Sequence, residues 1–231
     1  MARTIIVCGY GPGISSGVAR KFGGEGFEVA LVARNQPRLA QGVAELEEAG
    51  ITAKAFVCDL ADSAAVTQMV ADVREQLGPI TAIHWNAYAG VAGDLTTCDL
   101  ADLRRVFDVA VMGAVAAVQA SLPDLRQQQG AAVLITGGGF ATDSPQVDEM
   151  ITQWNAMGLG LAKAAQHKLA GVLHHKLAAD GIYVGEVMVM GMVKGTAFDQ
   201  GSGGGLDPAD IAGKFWDLYQ GRSEVSVSIG G

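Results

Sequence analysis

The chain has 231 residues, of which 49% are hydrophobic and 17% charged, and its formal net charge at pH 7 is -8. That length and apolar fraction allow a sizeable buried core, and unbroken strand and helix alternation without a polar linker favours one domain over two. The basic residues are scattered along an acidic chain, so nucleic acid is not expected as a partner.

The amino-terminal sequence runs directly into an apolar segment, with no leader ahead of it. We find no apolar stretch of membrane-spanning length, and therefore expect a cytoplasmic protein that does not contact a membrane. Cys8, Cys58 and Cys98 lack metal-ligand spacing and are best explained as reduced thiols. His174 and His175 are adjacent on a predicted helix and point in different directions, so we predict no metal site.

The first strand, turn and helix are predicted between Thr4 and Phe22. A β-branched run is followed at once by Gly9, Gly11 and Gly13. Glycine allows positive φ and leaves no Cβ between the backbone and a ligand. A helix beginning near Ile14 directs free N–H groups and its positive dipole end at the turn. The turn therefore favours a phosphate, although a strand-to-helix turn with incidental glycines would look similar.

Strand and helix patterns then alternate to the end of the chain. Strands are predicted at 27–33, 53–57, 80–85, 131–136, 182–189 and 225–229, and helices at 36–48, 62–77, 99–128, 154–179 and 208–219. Nearly continuous apolar strands that alternate with helices predict an α/β fold, a Rossmann-type doubly wound parallel sheet of about seven strands, forming a single domain over 1–231. Its ligand crevice would lie at the carboxyl ends of the strands.

A glycine-dense tract, 201–205, separates the sixth strand from the last helix. It is equally consistent with a plain surface loop and with a mobile lid over the crevice.

Residues that carry chemistry follow the strands in a recognisable order. They are the glycine turn, Arg34 after the second strand, Asp59-Leu60 after the third, Asn86-Ala87 after the fourth, and Lys163 in a helix rich in small residues. This order resembles the short-chain dehydrogenase/reductase family, and the resemblance covers essentially the whole chain.

The resemblance implies a dinucleotide cofactor in the crevice. The residues implied to hold it are Gly9, Gly11, Gly13, Ile14, Arg34, Asp59, Leu60, Asn86, Ala87, Lys163, Gly191 and Thr196. Arg34 suits a 2′-phosphate through forked hydrogen bonds, and no carboxylate stands before it, so NADP(H) is favoured over NAD(H). Asp59 aligns with the acid that contacts adenine, and Lys163 with the lysine that binds the nicotinamide ribose. Ordinary loop roles for Arg34 and Thr196, and a turn role for Asp59, stay open as alternatives.

The catalytic half departs from the family pattern. Ala110, Gly137 and Leu159 stand where the family has asparagine, serine and tyrosine, so only Lys163 of the tetrad is kept. Leucine cannot transfer a proton. This pattern resembles a divergent bacterial branch in which the tyrosine is often absent.

Further departures lie around the expected substrate site. Ser15 replaces the third glycine, Met190 replaces a proline, and the segment Phe140–Gly158 is longer than usual. Tyr88, in a remodelled loop near the expected nicotinamide end, is a candidate proton donor. Asp143, Ser144, Asp148, Asn155 and Thr136 also lie in or near the remodelled segment, and ordinary loop, cap or turn roles are more consistent with their residue types.

Two functions fit this sequence. The favoured one is an NADP(H)-dependent oxidoreductase acting on a small carbonyl or alcohol substrate; the other is a catalytically inactive nucleotide-binding or regulatory protein. Small residues along 158–179, where the family commonly pairs, predict a homodimer or homotetramer.

Overall fold

In a computed structural model, residues 3–196, 199 and 204–231 are described. The strands are β1 Arg3–Cys8, β2 Phe27–Ala33, β3 Ala53–Val57, β4 Ile80–Trp85, β5 Ala132–Gly138, β6 Tyr183–Val189 and β7 Ser226–Ile229. The helices are α1 Ile14–Gly24, α2 Gln36–Glu48, α3 Ser63–Leu77, α4 Leu100–Phe107, α5 Gly113–Leu125, α6 Pro145–Gln153, α7 Met157–Leu177 and α8 Pro208–Gly221.

The strands form one seven-stranded parallel sheet in the order β3-β2-β1-β4-β5-β6-β7. This confirms the predicted fold class. The order reverses between β1 and β4, and in an open sheet of this kind the crevice at such a reversal is the ligand site. The loops after β1 and β4 therefore face each other across the expected site.

Helices cover both faces of the sheet, which explains why the strand sequences are apolar without alternation. On one face, α3, α5 and α7 pack over residues such as Ile6 and Trp85. On the other, α1, α2 and α8 pack over Ile5 and Leu134.

The predicted helix at 99–128 is two helices joined by a π-helical stretch, Asp108–Met112. The widened turn leaves Val109 and Ala110 buried and makes the Ala110 carbonyl available to a side chain. Such stretches are frequent at functional sites.

The predicted helix at 154–179 is also wrong at its start. Trp154 ends α6, and Asn155 has a positive φ of 51° that separates α6 from α7. The Ser144 hydroxyl caps α6 and Pro145 follows it, a pairing that starts a helix. Much of the long segment Phe140–Gly158 is therefore helical.

The expectation that no stretch is long and apolar enough to span a membrane has to be corrected. Among the described residues, the helical stretch Leu100–Leu125 passes that test by length and composition. Its α5 portion packs against α3 and β4 within the fold, and a core helix of a soluble protein passes the same test.

Candidate functional site

The turn after β1 requires glycine at two positions. Gly9 and Gly13 have φ values of 81° and 92°. A Cβ on Gly9 would lie 2.7 Å from the Ala87 backbone, and one on Gly13 would lie 2.6 Å from Thr196 Cγ2. The turn is thus clamped between the loops after β4 and β6, and any side chain there would push those loops apart.

Ser15 holds this turn together from within. The Gly11 N–H donates to Ser15 Oγ at 2.9 Å, and the same hydroxyl donates to the Gly11 carbonyl at 3.0 Å. A close approach of α1 to α8 occurs at Gly17, whose Cβ would lie 2.6 Å from the Pro208 carbonyl oxygen. Ser15 therefore supports the turn, and its hydroxymethyl group is accommodated.

The N-terminus of α1, like those of α5 and α7, has no side-chain cap. Gly13, its N-cap residue, makes no side-chain cap hydrogen bond, whereas side chains cap α2, α3, α4, α6 and α8. Uncapped N–H groups and the positive dipole end at the glycine turn form a site for an anion.

A cleft of about 640 Å³ opens beside the turn at the carboxyl ends of β1 to β4. Its lining residues are Gly9, Tyr10, Ala33, Arg34, Asn35, Arg38, Cys58, Asp59, Leu60, Asn86, Ala87, Tyr88, Ala89, Arg105 and Val109. The structure thus brings together the predicted residues from the first four loops.

Two arginines stand on the rim of the cleft at the start of α2. Arg34 is exposed, and Arg38 lies one helical turn further on, with Nη1 3.7 Å from where a Cβ on Gly11 would be. The Asn35 side chain accepts from the Arg38 N–H and fixes this helix start. The sequence reading missed Arg38, although its spacing from Arg34 could have revealed it.

Asp59 lies on the opposite wall and is paired with a cation that the sequence reading also missed. Arg105 Nη2 of α4 is 3.0 Å and 3.1 Å from the two Asp59 oxygens, and the Ala61 N–H also donates to Asp59. Partial burial raises the pKa of Asp59, but these hydrogen bonds and the charges of Arg105 and Arg34 outweigh it, so the pKa is lowered overall. Asp59 therefore stabilises the turn after β3 through its bond to Ala61, and it also lines the cleft.

Asn86 joins the loop after β4 to the glycine turn. Its N–H donates to the Cys8 carbonyl at 3.0 Å, and its Nδ2 donates to the Gly9 carbonyl at 3.4 Å. Tyr88 follows on the cleft wall with 44% of its surface exposed, and burial of its ring raises its pKa.

Lys163 of α7 is buried at the end of β5. Its Nζ donates to the Thr136 carbonyl at 2.7 Å and to Gln166 Oε1 at 3.0 Å, while Gln166 Nε2 donates to the Ala110 carbonyl at 3.1 Å. Burial lowers the pKa of Lys163 to about 8, against the opposite effect of the Glu186 carboxylate. This lysine is thus far closer than a surface lysine to exchanging protons at neutral pH.

Gly137 and Leu159 flank Lys163 without adding a polar group. A Cβ on Gly137 would lie 2.4 Å from Glu186 Oε1 and 2.6 Å from Met188 Sδ, so a side chain at this position would require Glu186 and Met188 to shift. Leu159 lies on α7 one turn before Lys163 and is partly buried.

The loop after β6 packs against the glycine turn through Val193 and Thr196. The Thr196 hydroxyl donates to the Val193 carbonyl at 2.8 Å, and its methyl group faces Gly13. Gly191 is exposed beside Leu206. Of the tract 201–205, which was predicted as a loop or a lid, residues 201–203 lie outside the described residues.

Three of the other polar candidates take part in local hydrogen bonds. Ser144 caps α6, the Asp148 carbonyl accepts from the Thr152 hydroxyl, and the Thr136 hydroxyl bonds to His84 Nε2 at 3.0 Å. His174 Nδ1 donates to the Val184 carbonyl. Within residues 3–196, 199 and 204–231, no group of three or more metal-ligating side chains comes together.

Comparison with known proteins decides the family. The family model described as short chain dehydrogenase matches residues 3–203. The chain belongs to this family.

Curated relatives within the family are distant in sequence. An uncharacterized oxidoreductase of Staphylococcus saprophyticus is 26% identical over 232 residues, covering 98% of this chain and 94% of that protein. Meso-2,3-butanediol dehydrogenase of Serratia marcescens is 27% identical over 185 residues, covering 80% of this chain and 69% of that protein. These relatives support oxidoreductase as the class to which the chain is similar.

Solved short-chain dehydrogenases share the whole fold. A short chain dehydrogenase from Burkholderia cenocepacia in complex with NADP superimposes with a TM-score of 0.85 at 25% identity, covering 98% of this chain and 96% of that one. A blue fluorescent protein from a metagenomic library, in complex with NADPH, has the same TM-score at 24% identity and covers 99% of this chain and 96% of that one.

Glu186, near Lys163, is a further residue that the sequence analysis did not identify. It was read as part of an apolar strand, yet its carboxylate is fully buried and bonded to His167 and Ser226. An acid within the run VGEVMVM was the available signal, since a buried acid needs partners.

Proposed function

We propose that this short-chain dehydrogenase binds NADP(H) in the cleft and interconverts a small carbonyl and the corresponding alcohol. The observation that carries the proposal is one cleft that combines the glycine turn, the uncapped N-terminus of α1 and the rim arginines Arg34 and Arg38. The complexes of related proteins with NADP and NADPH support the same choice of cofactor.

The residues present fit such a cofactor. Gly9 and Gly13 keep Cβ atoms out of the turn, and the free N–H groups of α1 would hold the pyrophosphate. Arg34 and Arg38 would hold the 2′-phosphate, because a guanidinium matches phosphate geometry and keeps its charge. Asp59 and Leu60 would lie along the adenine, and Asn86 and Ala87 along the middle of the cofactor. We assign Gly11 and Ile14 to the phosphate turn, and Gly191 and Thr196 to the nicotinamide side.

The chemistry available to the chain centres on Lys163. Bound NADPH would supply the hydride. On our alignment with the family tetrad, Ala110, Gly137 and Leu159 replace its other three members and carry no group that exchanges protons. We therefore assign the proton step to Lys163, whose pKa of about 8 suits a group that gains and loses a proton near neutral pH. Tyr88 is the second candidate donor, since it stands on the cleft wall.

A second function is favoured by the crowding at Gly137. Glu186 and Met188 occupy the space next to Gly137, so a serine there would have to displace both side chains. A protein that binds the nucleotide and does not turn it over would tolerate this change, and it is the alternative that experiment has to exclude.

Cofactor choice is tested by fluorescence titration with NADPH and NADH. We expect tighter binding of NADPH, and Arg34→Ala should weaken that binding by about 10- to 100-fold while changing NADH binding little, because a hydrogen bond to a charged group is worth about 1.5–3 kcal/mol. Arg20→Ala, an exposed arginine on α1 outside the cleft lining, is the matched control. Failure of the wild-type chain to bind either nucleotide would refute the assignment of the cleft.

Turnover is tested by following NADPH oxidation with a panel of aldehydes, ketones and enoyl compounds. Lys163→Met should reduce any activity found by about 10² or more, since a general acid contributes that much. Tyr88→Phe should cause a loss of this size only if Tyr88, and not Lys163, is the proton donor. Tight NADPH binding with no turnover across the panel would favour the nucleotide-binding alternative.

A further inference from the structure

Glu186 is a buried carboxylate with only one of its two oxygens bonded. On Oε2 it accepts a hydrogen bond from His167 Nδ1 at 2.6 Å and another from Ser226 Oγ at 3.1 Å. Oε1 is buried and has no hydrogen-bond partner. A buried carboxylate oxygen without a partner is energetically unfavourable and needs an explanation.

The unpartnered oxygen lies against Gly137 at the end of β5, near Lys163. Oε1 lies 2.4 Å from the position of a Cβ on Gly137, and the Lys163 side chain lies 3.8 Å from the position of one on Gly138. Lys163 Nζ also bonds the carbonyl of Thr136, the residue before Gly137, at 2.7 Å, so the lysine and Glu186 Oε1 lie against adjacent residues of β5. Because their charges interact, the carboxylate opposes the lowering of the Lys163 pKa by burial.

The hydrogen-bond partners of Lys163 are a backbone carbonyl and an amide oxygen. Gln166 bridges Lys163 and the Ala110 carbonyl through its amide, which forms two hydrogen bonds but neither gains nor loses a proton at neutral pH. On the opposite face of the sheet, burial and the nearby charge of Lys163 lower the pKa of His84 to about 3, so His84 stays neutral. Glu186 differs from these two neighbours because it is hydrogen-bonded to a second titratable side chain, His167.

His167 connects Glu186 to solvent. It lies one turn after Lys163 on α7, and its side chain is 49% exposed, whereas that of Glu186 is fully buried. An imidazole in this position exchanges protons with water at one nitrogen while the other nitrogen holds the carboxylate.

We propose that Glu186 and His167 form the path by which Lys163 exchanges its proton with solvent. In the reducing direction, the Lys163 ammonium gives one proton to the substrate oxygen and becomes an amine. Glu186, protonated by the His167 imidazolium, returns one proton to that amine through a water bonded to its otherwise unpartnered Oε1. His167 then takes one proton from a solvent acid, so one proton enters for each one delivered. The role in turnover rests on the proposed function, but the path itself is a property of the chain alone.

The test uses the intact chain without cofactor. NMR of ¹⁵N-lysine-labelled protein, with the signal assigned by Lys163→Arg, measures how fast the Lys163 ammonium protons exchange with water. We expect Glu186→Gln and His167→Asn each to slow this exchange by about tenfold or more, since each removes a proton-transfer step. His174→Asn is the matched control on the same helix, because His174 bonds to the Val184 carbonyl and not to Glu186.

Two further results sharpen the test. Added imidazole should restore fast exchange in His167→Ala but not in Glu186→Gln, because it can replace the exposed ring and not the buried carboxylate. Glu186→Gln should also lower the pKa of Lys163 in the same spectra, since it removes a nearby negative charge. Unchanged exchange in the half-exposed His167→Asn variant would overturn the proposal, even if Glu186→Gln failed to fold. A chain that binds no nucleotide but shows these effects would refute the proposed function and leave the path intact.

Discussion

His84 is a buried group that makes the stability of the fold depend on pH. It is fully buried in β4, its Nε2 bonds to the Thr136 hydroxyl, and its ring packs edge-on against Phe215 at 4.7 Å. Its Nδ1 has no hydrogen-bond partner. Protonation would leave a charge buried away from water, and would also place it near the Lys163 charge, so the folded state resists it.

The first prediction concerns acid stability. The folded-state pKa of about 3 lies below the ordinary value of 6.5, so the unfolded chain binds the proton first and stability falls as the pH drops from about 6.5 towards 3. This one group contributes up to about 1.4 kcal/mol per pH unit in that range. In urea unfolding between pH 7 and 4, His84→Phe should lose this contribution, while His175→Phe on the surface serves as the control. Parallel pH profiles for wild type and His84→Phe would contradict the assignment.

At the scale of elements, the π-helical stretch between α4 and α5 has a definite partner. It presents the Ala110 carbonyl to the Gln166 amide, and Gln166 in turn holds Lys163. A regular helix would use that carbonyl within its own backbone ladder. The irregular stretch, Gln166 of α7 and the buried lysine therefore form one hydrogen-bonded unit.

The second prediction follows from this unit. Gln166→Leu keeps most of the side-chain volume but leaves the Ala110 carbonyl and one Lys163 donor without their partner. Two unsatisfied buried groups should lower the free energy of unfolding by about 2–5 kcal/mol, more than an exposed substitution would. Gln153→Leu, on the exposed side of α6, is the control for chemical denaturation. A loss below about 1 kcal/mol would mean that water replaces the amide without penalty.

The elements also show what the sequence could and could not predict. The strand 27–33 and the helix 36–48 were predicted to the residue, because apolar runs and clear breaks mark them. The helix 99–128 and the start of α7 were wrong, because a π-helical stretch and an interruption at Asn155 leave the apolar pattern unbroken. Arg105 and Glu186 were missed because their partners, Asp59 and His167, are far away in sequence or hidden in a helical pattern.

On the surface of the protein, α7 and the π-helical stretch before α5 carry exposed large hydrophobic side chains. Met112, Leu161 and Val172 are exposed there, although Gly158 and Gly160, which we expected to allow close helix pairing, are used internally against Ala92 and Ile151. Gly171 has open space beside it. We propose that two chains pair through the part of α7 around Gly171 and Val172.

The third prediction tests this pairing. Val172→Glu should convert the expected homodimer or homotetramer into smaller species in size-exclusion chromatography with light scattering, because it buries a charge in an apolar contact. Val57→Glu introduces the same charge at an exposed valine of the edge strand β3 and should leave the mass unchanged. A monomeric wild-type chain would remove the proposal.

The close approach of Glu186 to Gly137 affects which substitutions this region could acquire during evolution. Introducing a serine at position 137 by itself would force its Cβ against Glu186 Oε1 and Met188 Sδ. The two neighbouring side chains would have to move, so the effects of changes at these positions would not add, and their order would matter. Smaller residues at 186 and 188 should therefore make a serine at position 137 better tolerated, and a library that varies the three positions together tests this.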